Sequence, residues 1–285
     1  MAKYDRKLGV STSLLRSKLG ADWPETALET LGASPIRTIE YLCVEDRFRD
    51  EGHIERVKAS AEASGVWVWS VHAPFGQTDI SAADEGSRRD SIDNIVRAME
   101  VAEALGAKIL VLHGSREPIG DEERERRLTQ CVRSLNELCK RASQRGLVPA
   151  LEALPRTCLG NTVEEMLWLT GIVDGDLKVC YDVNHVTLRA DVRESLSALG
   201  ERVATVHISD HDGVDERHWI PGRGVTDWAG FVEGLDGIGY EGCLLHEAMD
   251  ADLGLEENLA AIVAAARVHL GWEGGCAPER QADAR

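Results

Sequence analysis

Residues 108–113 read KILVLH, with four consecutive apolar side chains, Ile109 to Leu112, closed by His113. A strand with one face in water alternates apolar and polar residues, whereas a run apolar at every position is buried on both faces, as in a parallel sheet. The flanks agree. Residues 87–105 have a helical, amphipathic pattern that stops at Gly106, and 121–145 repeat it up to Gly146 after an acidic start, Asp121-Glu122-Glu123. Strand and amphipathic helix in alternation is the signature of a βα unit.

The same unit recurs along the chain. Further strand-like runs are KLGVST (7–12), RTIEYLC (37–43), VWVWSVH (66–72), LVPALE (147–152), LKVCYD (177–182), VATVHI (203–208) and GCLLHE (242–247). Helix-like stretches lie at 24–32, 51–64, 161–170, 191–199, 227–236 and 255–270, and several end just before a glycine, as at Gly32, Gly65 and Gly239. Acidic or Asn/Thr-containing openings such as Asn161-Thr-Val-Glu supply helix-start chemistry. Eight strands, each followed by a helix, predict a single-domain (β/α)8 TIM barrel over residues 1–272, and 285 residues suit that fold. An open, doubly wound sheet is the architectural alternative. The last residues, 273–285 (EGGCAPERQADAR), read as a disordered C-terminal tail.

Composition narrows the function classes. Hydrophobic residues make up 43% of the chain, but no run reaches the ~18 apolar residues of a membrane span. The opening MAKYDRKLGVSTSLL lacks a secretory apolar core, so a cytoplasmic location and no membrane partner are expected. Seven cysteines, an odd number without CxxC spacing, fit a reducing compartment with no disulfide framework. A net charge of −17 disfavours a polyanionic partner, since binding nucleic acid requires Lys and Arg to neutralise phosphates.

In a (β/α)8 barrel the chemistry collects where the strands end. Six of the eight runs carry a metal-capable side chain at or beside that end: His72, His113, Glu152, Asp182, His207 and Glu247. With 49 acidic residues and nine histidines in the whole chain, chance supplies such a residue at only about one strand end in five. A carboxylate ending an apolar strand is costly to bury unless it is paired or holds a cation. Three carboxylates and one imidazole make a hard, oxygen-rich donor set suited to one divalent metal, with Mn2+ first and Mg2+, Co2+ or Zn2+ accommodated. His185, three residues beyond Asp182, can face the same mouth. The long segment after His207, DHDGVDERHWIPGRG (210–224), is expected as a charged loop whose Arg217 and His218 reach over the site. Taken singly, His72 and His113 also suit a core or loop role. No nucleophile-elbow or phosphate-loop sequence is present.

The segments SVHAPFG (70–76), VLHGS (111–115), ALEALP (150–155), YDVNH (181–185), VHISD (206–210), ERHWIPGRG (216–224) and LLHEA (244–248), in that order, resemble the xylose-isomerase-like barrel superfamily over residues 7–270. That group includes sugar phosphate isomerases and epimerases, ketose 3-epimerases, inosose dehydratases and endonuclease IV-type repair enzymes (AP endonuclease family 2). The resemblance to ketose epimerases implies that Glu152, Asp182, His207 and Glu247 are metal ligands. Glu152 and Glu247 are then also the catalytic acid and base on opposite faces of the substrate, and His185, Arg217 and His218 bind it. The endonuclease branch uses nine ligands, and all nine positions have candidates here: the six strand ends, His185, Glu216 and His218. This chain departs from that branch at Glu216, where the branch carries Asp, and in the loop after Glu152.

These readings predict a metal-dependent isomerase or epimerase of a sugar, ketose or polyol-derived ketone, acting on a small-molecule substrate. A substrate α-proton is removed by one glutamate and a proton returned through the other, via an enediolate. His72 and His113 are then expected to contact substrate hydroxyls or the carbonyl oxygen. Loss of a β-hydroxyl from the same enediolate makes an inosose-type dehydratase, a lyase, the near alternative. A metal-dependent repair nuclease and a catalytically silent binding barrel are the other classes. No nucleic-acid partner is expected, and a homo-oligomer is compatible with the composition.

Overall fold

A computed structural model describes residues 6–44 and 46–274. It contains strands β1 (Leu8–Ser11), β2 (Thr38–Leu42), β3 (Trp67–His72), β4 (Ile109–Leu112), β5 (Val148–Glu152), β6 (Lys178–Asp182), β7 (Val203–Ile208), β8 (Asp210–His211), β9 (Glu216–Trp219) and β10 (Leu244–His246). All except β8 and β9 pair in parallel in the closed order β1-β10-β7-β6-β5-β4-β3-β2. The helices are α1 (Thr12–Leu19), α2 (Pro24–Gly32), α3 (Glu51–Ser64), α4 (Glu85–Leu105), α5 (Asp121–Ser143), α6 (Val163–Ile172), α7 (Val183–Val186), α8 (Val192–Leu199), α9 (Trp228–Gly237) and α10 (Leu255–His269). The fold is therefore the single-domain (β/α)8 barrel that the sequence predicts, not an open sheet. Of the tail, 275–285 lies outside the described residues, and so does Cys276.

Alternation along the strands divides the apolar residues between two cores. Leu110, Leu112, Leu151, Tyr181, Val206 and Ile208 belong to the large cluster shared with the helices. Ile109, Val111, Ala150 and Cys180, with Trp69 against them, form a separate small cluster inside the barrel. His113, Glu152 and Asp182 each stand two residues beyond a member of that inner cluster, so the same alternation aims them inward, above it. The function of the inner core is thus to close the floor of the mouth. The six cysteines among the described residues are free and buried, and serve as small apolar groups.

Local chemistry sets the boundaries. Asp84 accepts from Ser87 N at 2.8 Å, so α4 starts two residues before the expected 87. Thr162, not Asn161, caps α6 by accepting from Glu165 N at 3.1 Å. Gly106 ends α4 with a left-handed φ of 73°, which glycine adopts without Cβ strain. Two short helices, α1 and α7, were not visible in the sequence pattern. The expected loop after His207 is in part a regular element: β8 and β9 pair antiparallel as a ribbon over the mouth. No helix among the described residues is long and apolar enough to cross a membrane.

Candidate active site at the barrel mouth

Glu152 and Asp182 end β5 and β6, His207 is the penultimate residue of β7, and Glu247 follows β10 directly. One donor atom from each of the four lies within 4.8 Å of every other. His207 Nδ1 stands 3.4 Å from Glu247 Oε2, 3.5 Å from Glu152 Oε1 and 3.8 Å from Asp182 Oδ2. Glu152, Asp182 and His207 are at most 2% exposed. His207 Nδ1 and Asp182 Oδ2 have no hydrogen-bond partner although both are buried. Unpartnered buried polar atoms are rare, and two converging on one point, with three carboxylates around them, fit a hard divalent cation.

The other predicted residues divide. His72 Nε2 and His113 Nε2 lie 2.9 and 3.0 Å from Glu152 Oε2, so both imidazoles are engaged with that carboxylate. His185, held by α7, sends Nδ1 to Ala153 O at 3.0 Å and Nε2 to within 2.7 Å of Glu216 Oε2. His218 Nδ1 donates to Glu247 O at 3.0 Å. His72, His113 and Glu152 form a second close group, and His185, Glu216 and His218 a third. Arg217 is not brought in. It lies between Glu216 and His218 on β9, so alternation turns it outward, where its Nε donates to Asp212 at 2.7 Å.

A cavity of about 430 Å3 opens above these groups, lined among others by Phe75, Arg116, Glu117 and Arg156. Phe75 is 46% exposed and stacks on His113 with ring centroids 5.1 Å apart. Arg156 bridges Glu117 and Glu216 at 2.6 and 2.9 Å. Arg156 and His218 are the two non-glycine residues with left-handed backbone among those described, at φ 52° and 48°. Such strain persists only where the surroundings over-determine it, and both residues line the cavity.

Residues that no strand-end rule could find also belong here. Glu40, mid-strand in β2, is completely buried beneath His207, and Ser70 Oγ donates to it at 2.7 Å. A charge in the middle of the apolar run RTIEYLC was the available signal. Asp210 accepts from Gly222 N, Gly224 N, Thr226 N, Thr226 Oγ1, Trp228 Nε1 and His211 N, and so ties the segment carrying β9 back to the barrel.

The electrostatics follow from crowded carboxylates. Burial opposes charge on His72, but the hydrogen bond and charge of Glu152 outweigh it and lift its pKa to about 9. His185 is raised to about 10 against burial, chiefly by Asp182 and Glu216. His207 is likewise raised, as Cys180, Glu40, Glu152 and Glu247 outweigh its burial. For His113 burial wins, and its pKa falls. Glu152 is held well below the carboxylate range despite burial, by the imidazoles of His113 and His207. Glu247 is raised, first by burial. The two glutamates are thus pushed in opposite directions.

Known proteins share this fold. A protein of Methanocaldococcus jannaschii with no assigned function is 28% identical over 61% of this chain, a match that spans 62% of that protein. The D-psicose 3-epimerase of Ruminiclostridium cellulolyticum is 27% identical over 81% of this chain and 75% of its own. Among solved structures, a D-tagatose 3-epimerase-like protein superposes with a TM-score of 0.81 at 23% identity, covering 93% of this chain and 97% of that one. Residues 30–267 match the model of one protein family, and this chain belongs to the xylose isomerase-like TIM barrel family.

Proposed function

We propose that this protein is a divalent-metal-dependent epimerase or isomerase of an unphosphorylated ketose or related polyol-derived ketone. One observation carries the reading: Glu152, Asp182, His207 and Glu247 converge within 4.8 Å beneath a cavity of sugar-sized volume, with two buried donor atoms unpartnered. Curated relatives named as sugar epimerases support it. Glu152, Asp182, His207 and Glu247 would hold the cation, Mn2+ first, which would supply Lewis-acid chemistry to the substrate carbonyl. Glu152, kept ionised by its imidazole neighbours, takes the α-proton. Glu247, raised by burial, delivers a proton to the opposite face. His185 and His218 orient substrate hydroxyls, and Phe75 covers an apolar face of the carbon chain while excluding water. His72 and His113 act through Glu152, fixing its Oε2 so that Oε1 faces the centre. Delivery to the neighbouring carbon makes the enzyme an isomerase, and loss of a β-hydroxyl makes it a dehydratase.

A second reading rests on its own observation. The nine positions shared with the endonuclease branch fall into three adjoining groups, each able to hold an ion. Element analysis of purified protein, followed by a metal-supplemented panel of ketoses and cyclic ketones, separates the two. The sugar reading expects close to one ion per chain, exchange of a substrate α-proton with solvent, and no incision of duplex DNA at an abasic site. Two to three zinc ions per chain, with abasic-site cleavage that tracks them, would overturn it.

A further inference from the structure

Glu40 is a completely buried carboxylate that the proposed chemistry does not use. It stands on β2, three barrel positions from β7, and reaches His207 through the barrel interior. His207 Nε2 lies 3.1 Å from its Oε1 and 3.3 Å from its Oε2, while Ser70 Oγ on β3 donates to Oε2 at 2.7 Å. The opposite ring nitrogen, Nδ1, points at Glu152, Asp182 and Glu247.

We infer that Glu40, braced by Ser70, is the positioning residue that presents His207 Nδ1 to a cation. This inference rests on the metal-dependent reading above. An ionised carboxylate only accepts hydrogen bonds, so the ring nitrogen facing it carries the hydrogen. With Nε2 protonated and the imidazole neutral, the Nδ1 lone pair is free and directed into the cluster. An imidazole in the other tautomer directs an N–H into three carboxylates and has no lone pair to offer there. The bond from the far side holds the ring plane as well as the tautomer. Ligating histidines generally depend on such a partner for orientation and basicity, and losing it costs about 10–100-fold in metal affinity. The pairing of Glu40 with His207 and Ser70 also explains why a charge is tolerated in the middle of an apolar strand, where an unpaired one is costly.

The test compares full-length wild type, Glu40→Gln and Ser70→Ala, stripped and titrated with Zn2+ against a competing chelator. Uptake is read at His207 itself through its imidazole 15N and N–H resonances, so that binding elsewhere does not count. In the zinc-loaded wild type, His207 shows a protonated, downfield Nε2 and a metal-bound Nδ1. Glu40→Gln is expected to lose about 10–100-fold in affinity at His207 and the downfield shift of Nε2–H. Ser70→Ala, a milder change that leaves the carboxylate in place, is expected to lose affinity by a few-fold and carries the test if Glu40→Gln does not fold. Folded variants with wild-type affinity and an unchanged Nε2–H resonance, even with a lowered Tm, overturn the role of Glu40 while the functional reading stands. A wild type that takes up no divalent ion at His207 overturns both.

Discussion

At the scale of single residues, the site consists of ionisable groups whose burial is justified only by one another. Asp182 and His207 are fully buried and have atoms that no protein group satisfies. Asp182→Asn and His207→Ala are therefore expected to lose bound metal while far-UV circular dichroism remains that of the barrel, since both side chains point into the mouth and not into the helix-facing core. Variants that keep stoichiometric metal would refute their assignment as ligands. Glu152→Gln and Glu247→Gln retain shape but no longer act as bases at neutral pH, and each should cost about 10²–10⁴ in solvent-proton exchange at the substrate α-carbon. Metal content measured on the same samples separates loss of a base from loss of a ligand. Full exchange by either variant ends the two-glutamate mechanism.

At the scale of elements, the β8–β9 ribbon decides which polar residues reach the cavity. Its alternation delivers Glu216 and His218 to the cavity and turns Arg217 away. Asp210 holds the segment behind it, accepting at 2.8 Å from Gly222 N and Gly224 N with one carboxylate oxygen. Gly224 is required there, because a Cβ would stand 2.1 Å from His211 O. The Asp210 carboxyl is kept below its usual range against burial, by Thr226 and the backbone N–H groups. Its contribution is therefore present above the unfolded carboxylate pKa and is lost as pH falls through the lower folded value. Asp210→Asn replaces one acceptor with an NH2 facing donors and should cost about 1–3 kcal/mol. Hydrogen exchange should show faster opening of 212–226 with the barrel strands unaffected. Uniform acceleration across the barrel, or none, would show that Asp210 is not the tie for this segment.

At the scale of the whole molecule, net charge and local charge act together. The chain carries −17, and its mouth concentrates carboxylates whose imidazole neighbours His72, His185 and His207 all have raised pKa values. Protons therefore occupy the cluster in competition with a cation. A raised imidazole pKa means the proton is held at pH 6 and released as pH rises, so metal uptake must strengthen with pH. The apparent affinity for Mn2+ is expected to climb by up to about tenfold per pH unit between pH 6 and 8 for each proton displaced. Calorimetry in buffers of different ionisation enthalpy counts those protons. A flat profile without proton release would contradict His207 as a ligand.

The barrel itself was legible in the residues. Runs such as ILVL (109–112) have no polar face, and glycines such as Gly106 stop the helices between them, so period and burial point to parallel strands wrapped by helices. Strand ends were legible too, because a carboxylate or histidine after such a run needs a reason to be there. Period and composition act along the chain, however, and contacts across the barrel do not. Glu40 lies 167 residues from His207 in sequence and meets it only when β2 and β7 face each other across the interior. Arg217 and His218 are adjacent and similar as letters, but pairing of β9 with β8 sends them to opposite sides. Which strand ends converge, which imidazole faces which carboxylate, and which side of a ribbon sees the cavity were decided by closure of the barrel. Closure sets distances between residues that local propensity never compares.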